Sequence, residues 1–350
     1  MKVAPTLRMQ DPWQIDENDF PAQAGRSQRL RFLLNYAVLA PSSHNTQPWR
    51  FMLGDEFLEL CPDRTRALPV VDPKDRALTI SCGAALGHLQ VAARYFGYRP
   101  ITETFPDPKN AELFARIRLG ESVEPSSKDA RLFAAIKNRR TTRRRYDDRP
   151  LPESLVKDCS EAAARASVEL RFMADPGVRS DIATLISQGD RIQFADPAFR
   201  RELGSWVHSK RAASHDGMSG EGFGMPDVLS SVGAMVIRTF DLGKGVAAKD
   251  QEIAANSPTL ALLATHGDEP EAWLRVGQVL SHVLLNATAS GVTAAYLNQP
   301  IEVDALRPRL REVAGVKGFP QILMRMGFGP KLAPTVRRPV DEVLATAAHA

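Results

Sequence analysis

At 350 residues, 43% hydrophobic and 25% charged, the chain can hold two domains or one large composite and has the balance of a globular enzyme or binding protein. A net charge of +4 is too weak a field to argue for nucleic acid or a membrane surface. Cys61, Cys82 and Cys159 are too few and too scattered for a disulfide framework or a cysteine metal site. No apolar run approaches a membrane span, and the acidic, polar stretch through Asp19 has no export pattern, so the expected location is the cytoplasm.

The first predicted element is an amphipathic helix over Ser27–Leu39, with Leu30, Leu33, Leu34, Ala37 and Val38 on one stripe. Pro41 stops it. The loop Ala40-Pro-Ser-Ser-His-Asn-Thr-Gln-Pro-Trp-Arg-Phe51 then leads into strands at Trp49–Leu53 and Phe57–Leu60. That loop either merely turns the chain or presents backbone N–H groups and short polar side chains to a flat heterocycle. An apolar helix over Ser81–Gly97 follows, closed by a glycine suited to the left-handed cap. A strand at Leu113–Leu119 and a helix at Ser127–Lys137 come next.

Five arginines then fall within seven residues, in Asn138-Arg-Arg-Thr-Thr-Arg-Arg-Arg-Tyr146. Such a cluster is a solvated basic face, a nucleic-acid patch or a phosphate site; no interleaved aromatics or reader motif support the nucleic acid. As a phosphate site it offers bidentate arginine forks, with hydroxyls from Thr141 and Thr142. A helix at Pro152–Ala166, a strand at Val168–Met173 and a helix at Ala198–Val207 follow. Trp206–Asp227 is aperiodic and long for a connection, which suggests a lid or a helical excursion into a cavity. Its Gly220-Glu-Gly-Phe-Gly224 lacks dinucleotide spacing and a preceding strand, so it reads as flexible loop. Beyond the apolar run Val228–Phe240 come a strand at Thr259–Thr265, an apolar helix at Arg275–Gly291, and strands at Thr293–Leu297 and Gln321–Met326.

The chain also repeats itself. Gly83, Leu86, His88, Ala93 and Gly97 recur as Gly277, Leu280, His282, Ala287 and Gly291, all 194 positions on. This pattern implies two related halves, 20–125 and 126–343, packed as a pseudo-dimer through buried apolar helices. The first half keeps the polar loop and the second carries the arginines. Each holds what the other lacks, so one composite site should lie across them. His88 and His282 read as satisfied core groups. His208 and His215 read as surface residues without a carboxylate partner, and no metal site is expected. Ser43-His44 does not read as a nucleophile pair.

The loop Ala40–Phe51 and the cluster Arg139–Tyr146 resemble those of the nitroreductase-like FMN flavoproteins, and the fused two-half form resembles their Acg-type branch. The resemblance runs from about residue 27 to Val343. It implies an α+β fold of mixed, mainly antiparallel sheets flanked by helices, with two pseudo-symmetric halves in one chain. It also implies FMN, with Arg139, Arg140, Thr141 and Arg143 at the phosphate and ribityl, and Pro41, Ser42, Ser43 and Asn45 at the ring. Leu297, Asn298 and Gln299 would meet the ring from the second half, and Arg337 would return to the phosphate. Three arginines separate Thr142 from Tyr146 where the family has two residues, which leaves the register of Arg144 and Arg145 open. The implied activity is NAD(P)H-dependent reduction of a nitroaromatic, quinone or similar acceptor, with no catalytic side chain demanded. The alternative is flavin sequestration under the lid 206–227. A pseudo-dimer within one chain is compatible with a monomer.

Overall fold

The computed structural model describes residues 11–208, 214–219, 238–239 and 242–345. Parts of the expected lid, 209–213 and 220–227, and nearly all of the run Val228–Phe240 lie outside them.

The chain enters through a short 3₁₀ turn at Pro12–Gln14, then forms α1 (Arg26–Ala37), β1 (Trp49–Leu53), β2 (Phe57–Pro62), α2 (Arg76–Tyr95), β3 (Tyr98–Thr104) and β4 (Ala115–Ser122). After α3 (Ser127–Ile136) and α4 (Glu153–Arg165) come β5 (Glu169–Met173), α5 (Pro176–Ala195), α6 (Pro197–Ser205) and the two-residue strands β6 (Val207–His208) and β7 (Met218–Ser219). The remainder is α7 (Gly243–Ala255), β8 (Thr259–Thr265), α8 (Pro270–Ala289), β9 (Thr293–Tyr296), α9 (Gln299–Glu302), α10 (Arg307–Ala314), β10 (Phe319–Gly327), α11 (Val340–Val343) and β11 (Leu344–Ala345).

Two sheets result. The first runs β11-β1-β2-β4-β3, antiparallel except where β11 lies parallel to β1, with Phe51 opposite Leu344. The second, β5-β8-β10-β9, is antiparallel throughout. Every residue of β8 is buried, which its apolar run without alternation foreshadows in a strand covered on both faces. β3 escaped the sequence pattern because it is an edge strand, mostly exposed and carrying Pro100.

Between the sheets α2 packs on α8, and the repeated glycines explain how closely. A Cβ placed on Gly277 would lie 2.1 Å from the Ile80 carbonyl and 2.7 Å from the Gly83 Cα. One on Gly83 would lie 2.1 Å from the Leu274 carbonyl, and one on Gly87 2.6 Å from Ser281 Cβ. The two residues that match across the repeat therefore meet at the crossing, backbone on backbone. Gly97 and Gly291, with φ of 83° and 73°, follow the two helices in the left-handed conformation that their sequence positions suggest. Among the described residues no helix is long and apolar enough to cross a membrane.

The helices flanking the site are locally encoded. α3 starts on a capping box in which Ser126 and Asp129 exchange hydrogen bonds, and α5 starts at Pro176 with Asp175 accepting from the Val178 N–H. After β10 the chain crosses back to the first sheet through residues 328–345, which carries Arg337 from one sheet toward the other.

Candidate functional site

Past α1 the chain turns sharply at Pro41, and the polar loop folds into a 3₁₀ turn over Ser43–Asn45. His44, Asn45 and Gln47 all take left-handed backbone conformations, with φ of 50°, 55° and 52°. Non-glycine residues adopt this region at a cost of roughly 1–3 kcal/mol each, so the surroundings must hold them. Ser42 Oγ accepts from the Gln47 N–H at 2.9 Å. The Gln47 side chain donates to the His215 carbonyl at 2.8 Å and accepts from the Arg338 N–H at 2.8 Å. Arg338 also donates to the Gln47 carbonyl at 3.1 Å. Pro41 is buried, while Ser42 and Ser43 are half-buried.

Asn45 is the junction of this loop. Its Nδ2 donates to the carbonyls of Gly217 at 3.0 Å and Val336 at 3.2 Å, and its Oδ1 accepts from Arg337 at 2.8 Å. The loop, the middle of the expected lid and the C-terminal tail therefore meet on one amide. The Asn45 carbonyl also accepts from the Gly217 N–H at 3.2 Å, and Asp216 forms an ion pair with Arg66. His208 approaches Asp216 at 3.4 Å and His215 meets Glu342 at 2.6 Å, so both histidines do have carboxylate partners, contrary to the sequence reading. Those partners come from distant chain positions or across a loop and could not be seen in local spacing.

The arginine cluster leaves α3 and runs beside β9. Thr141 bridges Ala294 in parallel, the Thr142 N–H donates to the Ala294 carbonyl at 3.2 Å, and Thr293 Oγ1 donates to the Arg140 carbonyl at 3.2 Å. The backbone is thus stitched to the second sheet while the guanidinium groups point elsewhere. Arg139 is 4% exposed and Arg337 5% exposed. Among the described residues the Arg139 guanidinium reaches only the Leu39 carbonyl, at 3.4 Å, a carbonyl that Arg337 also approaches at 3.5 Å. Among the described residues, Arg139 Nε and Nη1, Arg140 Nε and Arg337 Nε are buried without a partner. No carboxylate among the described residues forms an ion pair with Arg139, Arg140 or Arg337.

The electrostatics follow from that crowding. Burial lowers the pKa of Arg337 well below the ordinary value, and Arg139 and Arg140 lower it further. Burial and then Arg139 bring Arg140 down to about 10. Tyr296 stands among these cations, its hydroxyl buried without a partner among the described residues and its pKa pushed up to about 12 by burial, so it stays a neutral donor. Arg143 is exposed, yet crowded enough that burial lowers its pKa, an effect opposed first by Asp250. His44 lies near enough to Arg143 to be lowered by it after burial, to about 4, and its Nδ1 is buried without a partner.

The segment after β9 behaves differently. Leu297 is buried in the core with Leu323 and Leu262, and its N–H pairs with the Leu323 carbonyl at 2.9 Å. Asn298 Oδ1 accepts from the Leu323 N–H at 2.9 Å. Gln299 Nε2 is shared between Asp190 Oδ1 at 3.1 Å and Asp250 Oδ2 at 3.0 Å, with Gly189 leaving room for its Cβ. Asp190 is 2% exposed, and burial followed by repulsion from Asp250 raises its pKa to about 8.

Of the residues singled out in the sequence, Asn45, Arg139, Arg140 and Arg337 come together, with Thr141 beside them, bridged to Ala294 of β9. Arg143 and Gln299 meet through Asp250, and Tyr296, which senses Arg139, Arg337 and Arg143, connects the two groups. Leu297 turns its side chain into the core. Sequence reasoning missed Tyr296, Asp190, Asp250 and Trp13. Trp13 stacks over Arg140 at 4.5 Å and Arg337 at 5.5 Å, and the only local cue was the Asp11-Pro12 turn that presents it. His88 also departs from expectation: Nδ1 meets Ala84 O and Ser281 Oγ, but Nε2 is buried without a partner among the described residues.

No protein-family model matches the chain. Among curated relatives, "Putative NAD(P)H nitroreductase Rv3131" of Mycobacterium tuberculosis is 33% identical over 327 residues, covering 91% of each chain. "Putative NAD(P)H nitroreductase acg" of the same species is 28% identical over 321 residues, covering 90% of this chain and 94% of its own. Among solved structures, the FMN and NADPH-dependent nitroreductase NfnB of a sphigopyxis strain is 17% identical. It has a TM-score of 0.40 and covers 61% of this chain and 97% of its own.

Proposed function

The chain belongs to the NAD(P)H nitroreductase family, and from that premise we propose that it is an FMN-dependent oxidoreductase reducing a nitroaromatic, quinone or similar acceptor with NAD(P)H. The observation that carries the reading is the group Arg139, Arg140 and Arg337, which has no ion-paired carboxylate among the described residues and in which Arg139 Nε and Nη1, Arg140 Nε and Arg337 Nε are buried without a described partner. Two buried cations and the half-buried Arg140 repel one another, and a buried charge without a partner costs several kcal/mol, so such a cluster calls for an anion. A phosphate monoester fits: it would accept from Arg139, Arg140 and Arg337, and from the Tyr296 hydroxyl. The chemistry supplied by bound FMN would be two-electron transfer from NAD(P)H to an oxidant.

This chain's own residues would bind and orient. The Pro41, Ser42, Ser43 and Asn45 loop would flank the ring, with Asn45 fixing Arg337 at the same time. Thr141 and Arg143 would line the chain between ring and phosphate. Leu297 and Asn298 would contribute backbone, because their side chains are engaged with the core and β10. Gln299 would present its buried, unpartnered Oε1 while the Asp190–Asp250 pair holds its amide. The repeat of Gly83 and Gly277 supports a fused pair of halves, 20–125 and 126–343, with one site built across them. The test is anaerobic mixing of purified protein with NADH or NADPH while flavin absorbance is followed. Rapid loss of the oxidised flavin band supports turnover.

A specific contact favours a second reading, flavin sequestration. Residues 214–218 are latched to the polar loop through Gln47, Asn45 and Arg66. If reduction by either nicotinamide needs that latch released, as in a Gln47→Ala variant, sequestration is the better account.

A further inference from the structure

We propose that Trp13 is a positioning residue of the anion site, bracing Arg140 and Arg337 with its ring face and tying the N-terminal arm to the C-terminal tail. The inference rests on the arginine cluster binding a phosphate monoester, and adds to it a chain segment outside both halves of the repeat.

The arm is built to hold one indole in place. Asp11 caps the 3₁₀ turn by accepting from the Trp13 N–H at 3.0 Å, and Pro12 at the first position of the turn is buried. Ile15 is 4% exposed in the core of the first half. Lys137, at the end of α3 just before the arginines, donates to the Ile15 carbonyl. The arm is therefore docked beside the cluster. From this position the Trp13 ring lies 4.5 Å from the Arg140 guanidinium carbon and 5.5 Å from that of Arg337. Its Nε1–H donates at 2.9 Å to the carbonyl of Thr335, two residues before Arg337.

The electrostatic sense is favourable on each count. Beyond burial, Arg139 lowers the pKa of Arg140, and both lower that of Arg337; none of the three has an ion-paired carboxylate among the described residues. A negative ring face within about 6 Å attracts two of these cations at once without neutralising them. It thus relieves their repulsion while leaving their charge for a phosphate, whereas an acid in the same place would compete with the ligand. The Thr335 hydrogen bond fixes the tail in the register that aims Arg337 at Asn45.

The experiment compares Trp13→Leu, which keeps apolar bulk, with Trp13→Phe, which keeps an aromatic face. FMN affinity is measured by titration, and separately the rise in melting temperature of flavin-free protein on adding inorganic phosphate. Trp13→Leu should weaken FMN binding about tenfold and shrink the phosphate-induced rise, while Trp13→Phe should recover most of both. An unchanged FMN affinity and phosphate increment in Trp13→Leu overturns the proposal. So does a lower melting point with the phosphate increment intact, which would make Trp13 a packing residue only, or a failure of Phe to rescue. Should wild-type protein ignore FMN altogether, the proposed function falls, and the phosphate increment in the same variants still decides the role of Trp13.

Discussion

Replacing Arg139 with methionine separates a binding residue from a structural one. Arg139 is 4% exposed, has one long hydrogen bond at 3.4 Å, and leaves Nε and Nη1 unpartnered beside two other cations. A buried ion without compensation costs several kcal/mol, and methionine fills similar volume without charge. The flavin-free variant should therefore be more stable than wild type, by about 1–3 kcal/mol. In a protein of this size that is a rise of roughly 1–4 °C in melting temperature. FMN affinity should move the other way. Losing a buried charge-assisted contact costs about 2–5 kcal/mol, or roughly 30-fold to several thousand-fold in Kd. Differential scanning fluorimetry of flavin-free protein and calorimetric titration with FMN read the two effects. A variant that loses stability and keeps FMN affinity would refute the argument, because Arg139 would then be holding the fold.

Other consequences are as direct. Gly277→Ala puts a Cβ 2.1 Å from the Ile80 carbonyl between two rigid helices, so unfolding free energy should drop by about 3 kcal/mol or more in denaturant titrations, with lost flavin following. Asp190 has a folded-state pKa of about 8, above its ordinary 3.8, so the native state keeps a proton that the unfolded chain releases. The stability from that proton is complete below about pH 4 and disappears as pH rises toward 8; Asp190→Asn should flatten this slope, and an unchanged slope between those limits would assign it elsewhere. Asn45→Ala should weaken FMN binding and also raise proteolysis near residue 217, since one amide serves Arg337 and Gly217; an effect on only one of the two would separate those roles.

What could be read from the sequence was what is local. Trp49–Leu53 and Thr259–Thr265 stand where apolar β-formers between turn residues put them, and the two glycine-closed helices follow from their apolar period. The strand expected at Leu113–Leu119 begins later, at Ala115, because the Leu113 N–H still closes the turn on the Asn110 carbonyl. Arg139, Arg140 and Arg337 could be named from motif alone, but not their burial, which only tertiary packing reveals. Trp13 lay beyond reach because its partners are more than a hundred residues away in sequence, and Asp190 because an acid on a helix normally faces water. Asn45, expected at the flavin ring, has a structural role the motif does not spell out: its side chain joins the loop to Gly217 and Arg337.

The central claim is that the arginine cluster reads a flavin phosphate, and comparing FMN with riboflavin tests it most directly. Calorimetric titration of flavin-free protein should give one FMN per chain, bound at least about 100-fold more tightly than riboflavin, which has the same ring and no phosphate. Equal affinity for the two, or two flavins per chain, would contradict the account.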